Sequence, residues 1–152
     1  MYYIIGILLI LSDIFTKHMA TKFLKNGESI EILEGILRLN YVENTGAAFG
    51  IMKDMRWFFI FVTFVLLIIL YVWFRKSFQK GLILRIGMLF VISGALGNLV
   101  DRVLFGYVVD FIDFYIINFP VFNMADCFIC IGAAALCIHY LFIEKDIKNE
   151  QN

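Results

Sequence analysis

Carboxylates and carboxamides are the groups in this sequence whose spacing could do chemistry. Asp13, Asn98, Asp101 and Asp126 stand inside or at the ends of long apolar runs, and Asp110 lies between two of them. An ionisable residue in a membrane span is expensive, so each one needs a reason. At about 1.5 Å of rise per residue, Asp13 and Lys17 fall within about 10 Å of one end of the first run. Asn98, Asp101 and Arg102 occupy the last turns of the third run, and Asp126 the first turn of the fourth. Asp110 and Asp113 sit in the short connection between those two, on the same side. The costly groups therefore converge at one depth. Two aspartates brought close can share one proton, because like charges resist joint ionisation. The charged one then takes a proton from water and the neutral one gives a proton to a carbonyl or leaving amine.

Each residue also has a plainer reading. Asp13 and Lys17 are four apart and can pair on one helix face. Gly94, Gly97, Asn98 and Asp101 share a face of the third helix, where small residues permit close packing. Asp101 and Arg102 can form an interfacial pair, and Asp126 can simply favour a helix N-terminus. Other chemistries fit less well. There is no HExxH, and His18 and His139 lie at opposite ends of the span, which argues against zinc proteolysis. Ser93 and His139 would lie at roughly 14 and 24 Å below the outer surface and would not meet. Cys127, Cys130 and Cys137 read as small buried hydrophobes of one helix. No glycine-rich phosphate loop is present.

The elements that must position these groups are membrane spans. Of 152 residues, 62% are hydrophobic and 17% charged, and mean hydropathy is +0.86, well above soluble domains. Net charge is zero, without the basic patch a nucleic acid would need. Four runs are long enough to cross a bilayer: 2–20, 57–74, 82–105 and 122–142. The first does not read as a cleaved leader, since its start carries no positive charge and no small-residue cleavage site closes it. Arg75, Lys76, Lys80 and Arg85, with no acid among them, place the second connection in the cytoplasm together with both termini. Lys145 and Lys148 agree. The first connection carries β-branched or alternating stretches, Ser29 to Leu33 and Ile36 to Glu43, around Glu34-Gly35, which read as a small hairpin or curled sheet within an external β region of about 26–50. Asn123 is placed to cap the fourth helix, with Asp126 in its first turn.

In this frame the chain resembles the lipoprotein signal peptidases (signal peptidase II) over nearly its whole length. The likeness rests on five stretches in order: Asp13 with Thr16-Lys17; Asn44-Thr45-Gly46-Ala47-Ala48-Phe49-Gly50; Gly94 to Arg102 (GALGNLVDR); Val108 to Asp113 (VVDFID); and Phe119 to Asp126 (FPVFNMAD). The resemblance implies an all-α membrane protein with four transmembrane helices and a small extracytoplasmic β-cradle between helices one and two, a single peptidase domain over 1–152. It implies an aspartic endopeptidase that cuts diacylglyceryl-modified prolipoproteins just before the lipidated cysteine. Asp110 and Asp126 would be the catalytic pair and Asp113 a bystander. Asp13, Lys17, Asn44, Gly46, Asn98, Arg102 and Asn123 would orient substrate and aspartates. No metal or cofactor is implied. The enzyme would act as a monomer among phospholipids of the bacterial cytoplasmic membrane, its site facing outward.

The competing class is a small proton-coupled transporter, with the carboxylates as relay. Against it, the charges gather at one face and do not cross the membrane. The orientation is tested by topology reporters. Those fused at Lys80 and after Asn152 are expected to read as cytoplasmic, and those near Gly35 and Tyr115 as external. A reporter near Gly35 found inside would invert the arrangement.

Overall fold

Backbone groups in a bilayer must be hydrogen-bonded within their own segment, so the apolar runs become helices. A computed structural model of the chain describes residues 2–47, 51–77 and 81–143. The helices are α1 (Tyr2–Leu24), α2 (Arg56–Ser77), α3 (Leu82–Leu104) and α4 (Met124–Ile138), the last continuing as a π-helical turn over His139–Ile143. All four spans are long and apolar enough to cross a membrane. Lys80, Lys145, Lys148 and the Ala48-Phe49-Gly50 part of the small-residue turn lie outside the described residues.

Burial runs opposite to that of a soluble bundle. On α1 the buried stripe is Gly6, Asp13, Lys17, Ala20 and Leu24, spaced at helical periods, while Ile4, Leu8 and Phe15 face outward. Helix α3 is central: half of its span is buried, against 11% for α2, and it packs on all three others. The packing is close because side chains are missing where it needs them to be. A Cβ on Gly132 would lie 2.6 Å from the Gly87 carbonyl oxygen, and one on Gly94 would overlap the carbonyl oxygen of Ala125. Small residues let helix backbones approach in lipid. The α4 cysteines do not pack as expected. Cys130 and Cys137 are exposed and Cys127 is half-buried, because α4 turns Ala125, Phe128 and Gly132 inward instead. Ser93 and His139 stay apart: Ser93 donates to the Gly6 carbonyl at 3.4 Å, and His139 packs beside Gly81 and Tyr140.

The β region holds β1 (Ile30–Leu33) and β2 (Leu37–Asn44), a hairpin turned at Gly35 with φ of 74°. Its third strand is β3 (Val108–Asp113): the stretch expected to be only a connection pairs along β2. The sheet is antiparallel in the order β1-β2-β3, so the cradle draws on both the α1–α2 and the α3–α4 connections. Alternation along β3 turns Val109 and Phe111 into an apolar cluster with Ala20 and Leu24 of α1, and Asp110 to the other face. Arg38 pairs with Asp113 and Val42 with Asp110, with a one-residue bulge on β2 between Leu39 and Val42.

The α3–α4 crossing is tested by Gly94→Val. Its new side chain would meet helix backbone that cannot yield, so the loss should reach about 3 kcal/mol, the upper end for overpacking. Thermal unfolding in detergent reads this directly. A variant as stable as the parent would show that α3 and α4 do not cross here.

Candidate active site

The site is built on a buried cation. Lys17 is 3% exposed, and its ammonium lies 2.9 Å from Asp13, 3.1 Å from Asp101 and 3.0 Å from the Asn98 side-chain oxygen. The expected Asp13–Lys17 pair is thus one edge of a larger network. Asp13 is fully buried because Gly97 leaves it room: a Cβ there would come 2.5 Å from its carboxylate. The other Asp13 oxygen accepts the Ala125 backbone N–H at 2.9 Å, tying α1 to the first turn of α4. Asp101 accepts from Lys17 and from the Val109 backbone N–H at 3.1 Å, which ties α3 to β3. The suggested Asp101–Arg102 pair does not form. These neighbours point to different partners, because residues adjacent on a helix do not face each other.

Above this base, asparagines present their NH2 groups to two carboxylates. Asn98 uses its oxygen on Lys17, so its Nδ2 donates to Asp126 at 2.8 Å. The Asn123 oxygen accepts the Asp126 backbone N–H at 3.0 Å, so its Nδ2 donates to Asp110 at 2.6 Å and reaches the Asn98 oxygen at 3.2 Å. Asn44 accepts the Gly46 N–H at 2.9 Å and donates Nδ2 to the second Asp110 oxygen at 2.8 Å. In each amide a donor occupies the oxygen, and the nitrogen must face the carboxylate. The cap expected at Asn123 is a full capping box: Asp126 returns its carboxylate to the Asn123 backbone N–H at 3.2 Å. One residue therefore bridges Asp110 and Asp126.

Both carboxylates line one cavity of about 480 Å³, with Asn44, Gly46, Asn98 and Arg102 on its polar side and Phe119, Phe122 and Ile129 on its apolar side. Asp110 is 2% exposed. Burial, followed by the nearby Asp126 charge, raises its carboxyl to about 7, against the opposing pull of the Asn44 and Asn123 bonds. Arg102 stretches over the Phe59 ring, 5.0 Å from its centroid, and donates to the Gly46 carbonyl at 3.0 Å. One face of its guanidinium therefore rests on α2, while its fork holds the turn beside the cavity. The arrangement sets two carboxylates, one with its carboxyl raised to about 7, beside an apolar groove. Such an arrangement could carry acid–base hydrolysis. The charges do not run through the bundle as a relay would.

The structure brings Asp13, Lys17, Asn44, Gly46, Asn98, Arg102, Asp110, Asn123 and Asp126 into one connected set of contacts. Asp113 is held away from the pair by Arg38, whose Nε lies 2.7 Å from its carboxylate. Arg56 donates to the backbone oxygens of Arg102 and Val103 at 2.8 and 2.7 Å, closing the C-terminus of α3. A lone arginine before an apolar run carries no sequence signal for that role. Asp101 did carry one, since it shares the Asn98 face of α3, but its partner sits on another helix.

Comparison with known proteins agrees with this geometry. A family model described as signal peptidase (SPase) II matches residues 5–142. The chain is 41% identical over 137 residues to a lipoprotein signal peptidase of Brevibacillus brevis, covering 90% of this chain and 92% of the relative. It is 43% identical over 146 residues to that of Halothermothrix orenii, covering 95% and 98%. A bacterial membrane enzyme solved in meso at 2.3 Å resolution superposes with a TM-score of 0.87 at 37% identity, over 97% of this chain and 90% of the other.

Removing the buried cation tests the base of the site. Lys17→Met leaves Asp13 and Asp101 facing each other without a counter-charge, which should cost about 3–5 kcal/mol. Thermal unfolding in detergent measures the loss, and Asp101→Asn in the same chain should restore part of it. If Lys17→Met is as stable as the parent, the network does not hold the helices together.

Proposed function

This chain belongs to the signal peptidase II family, and on that premise we propose that Asp110 and Asp126 are its catalytic pair. The enzyme is a multi-pass bacterial membrane protein and an aspartic endopeptidase that removes signal peptides from prolipoproteins. The single observation that carries the assignment is that Asn123 bridges both carboxylates at the wall of one cavity.

In the reaction, Asp126 takes a proton from the bound water as its oxygen attacks the scissile carbonyl carbon. Asp110 gives its proton to the carbonyl oxygen, forming a neutral tetrahedral diol. Collapse of the diol breaks the C–N bond. The proton held by Asp126 passes to the leaving amine, and the hydroxyl proton returns to Asp110. The dyad ends as it began, with no covalent intermediate. Asn98 and Asn123 hold Asp126 in place, and Asn44 and Asn123 hold Asp110. Arg102, anchored to Gly46, has further N–H groups to offer a substrate carbonyl.

The cut would fall just before a diacylglyceryl-modified cysteine. The dyad lies where α3 and α4 leave the apolar zone, which is the depth a lipid-anchored residue reaches. Arg75 and Lys76 close α2 at the opposite end, and Arg85 stands early in α3. By the bias of basic residues to the cytoplasmic side, the site faces outward and both termini lie in the cytoplasm. The outward-facing apolar side chains of α1, α2 and α4 are the contact surface for phospholipid.

Asp110→Asn and Asp126→Asn should each abolish cleavage of a lipid-modified precursor while leaving a folded protein. Asp113→Asn should keep substantial activity, because its carboxylate serves Arg38. Cleavage needs neutral Asp110, so kcat/KM should fall about tenfold per unit as pH rises through about 7, the value to which the Asp110 carboxyl is raised. Chelators should leave the rate unchanged. Near-parental cleavage by Asp126→Asn, or metal-restored activity after chelation, would overturn the mechanism.

A further inference from the structure

A second cavity, of about 330 Å³, meets the first at Asn44, Ala47, Asp110, Pro120 and Val121. We propose that it takes the polar chain following the scissile bond, and that Lys53 selects acidic residues there. This rests on the peptidase reading given above. A bond held at the dyad has two flanking segments, and each needs a way out. The apolar cavity reaches Ile129 and Cys130 on α4, where an apolar signal segment and acyl chains can pass to lipid. The second cavity has no wall from any membrane-spanning helix. It is lined by Val42, Glu43 and Asn44 of β2, by Lys53, and by the turn before α4. A chain leaving for water would leave through it.

Lys53 is the basic residue among those that line it, at a distance along the chain from the dyad residue Asp110. Glu43 also lines it, but Lys25 lies 2.8 Å from that carboxylate and holds it below the usual carboxyl range, and the Tyr41 hydroxyl donates to it at 3.0 Å. Lys53 is exposed and has no hydrogen-bond or ion-pair partner among the described residues. Its neighbours Met52 and Asp54 hold left-handed backbone, φ 58° and 63°. Such conformations persist where the surroundings impose them, often at ligand-binding loops.

The test uses purified full-length enzyme and lipid-modified precursors carrying Asp, Asn or Lys at the second to fourth residues after the cut. The readout is the kcat/KM ratio of the Asp to the Lys precursor, with each enzyme normalised on its Asn precursor. The parent should favour Asp by about fivefold, as expected for exposed ion pairs, and less at high salt. Lys53→Met should bring the ratio near one, and Lys53→Glu should invert it. An unchanged ratio in all three enzymes would overturn the role of Lys53 while leaving the peptidase intact. Failure of the parent to cut the Asn precursor would overturn the peptidase reading, and this inference with it.

Discussion

The Lys17 ammonium, shut between Asp13 and Asp101, is the interaction on which the rest of the site depends. Burying three charges is costly, and such clusters are weak sources of stability compared with apolar packing. Their value here is directional. Lys17 uses its third contact on the Asn98 oxygen and so decides which way that amide points. Asp13 reaches α4 through the Ala125 N–H, and Asp101 reaches β3 through the Val109 N–H. One cation therefore sets α1, α3, α4 and the last strand in a common frame.

The frame governs the chemistry through amide orientation. An asparagine side chain is ambivalent, with an acceptor and a donor at one tip. Asn44, Asn98 and Asn123 each lose that ambivalence because an N–H donor already holds the oxygen. The donors of Asn44 and Asn123 then favour the ionised form of Asp110, while burial favours its neutral form. At Asp110 burial prevails, and its carboxyl rises to about 7. A carboxyl raised to about 7 can give up its proton near neutral pH, as a general acid must.

The bilayer supplies the remaining constraint. Because lipid solvates the outer face of every helix, apolar side chains need not turn inward, and the interior is free for glycines and polar groups. Gly87, Gly94, Gly97 and Gly132 bring α3 close to its neighbours and make room for Asp13. The sheet then seats on the C-terminal end of α1 through Ala20, Leu24, Val109 and Phe111. That seat turns Asp110 over the first turn of α4. The cleft between them has an apolar side toward the membrane and a polar side toward water.

The sequence by itself determined what rests on local or compositional physics. The four spans follow from run length, the β1–β2 hairpin from alternation around Gly35, and the Asn123–Asp126 cap from residue types three apart. The family motifs supplied Asp110 and Asp126 as the candidate pair and the polar residues proposed to hold them. The tertiary structure alone decided what depends on which distant element arrives beside which. Val108 to Asp113 is too short and too mixed to declare itself a strand, and becomes one because β2 offers it an edge. The bulge between Leu39 and Val42 sets the register that gives Asp113 to Arg38 and Asp110 to the cavity face. Asp101 looked like a partner for Arg102 because they are adjacent, but helix geometry sends them to Lys17 and Gly46. The α4 cysteines looked buried because they are small, yet the crossing of Gly94 over Ala125 chose another face. Hydropathy reports how deep a residue lies; rotation about a helix axis and strand register are settled only by the partner across the interface.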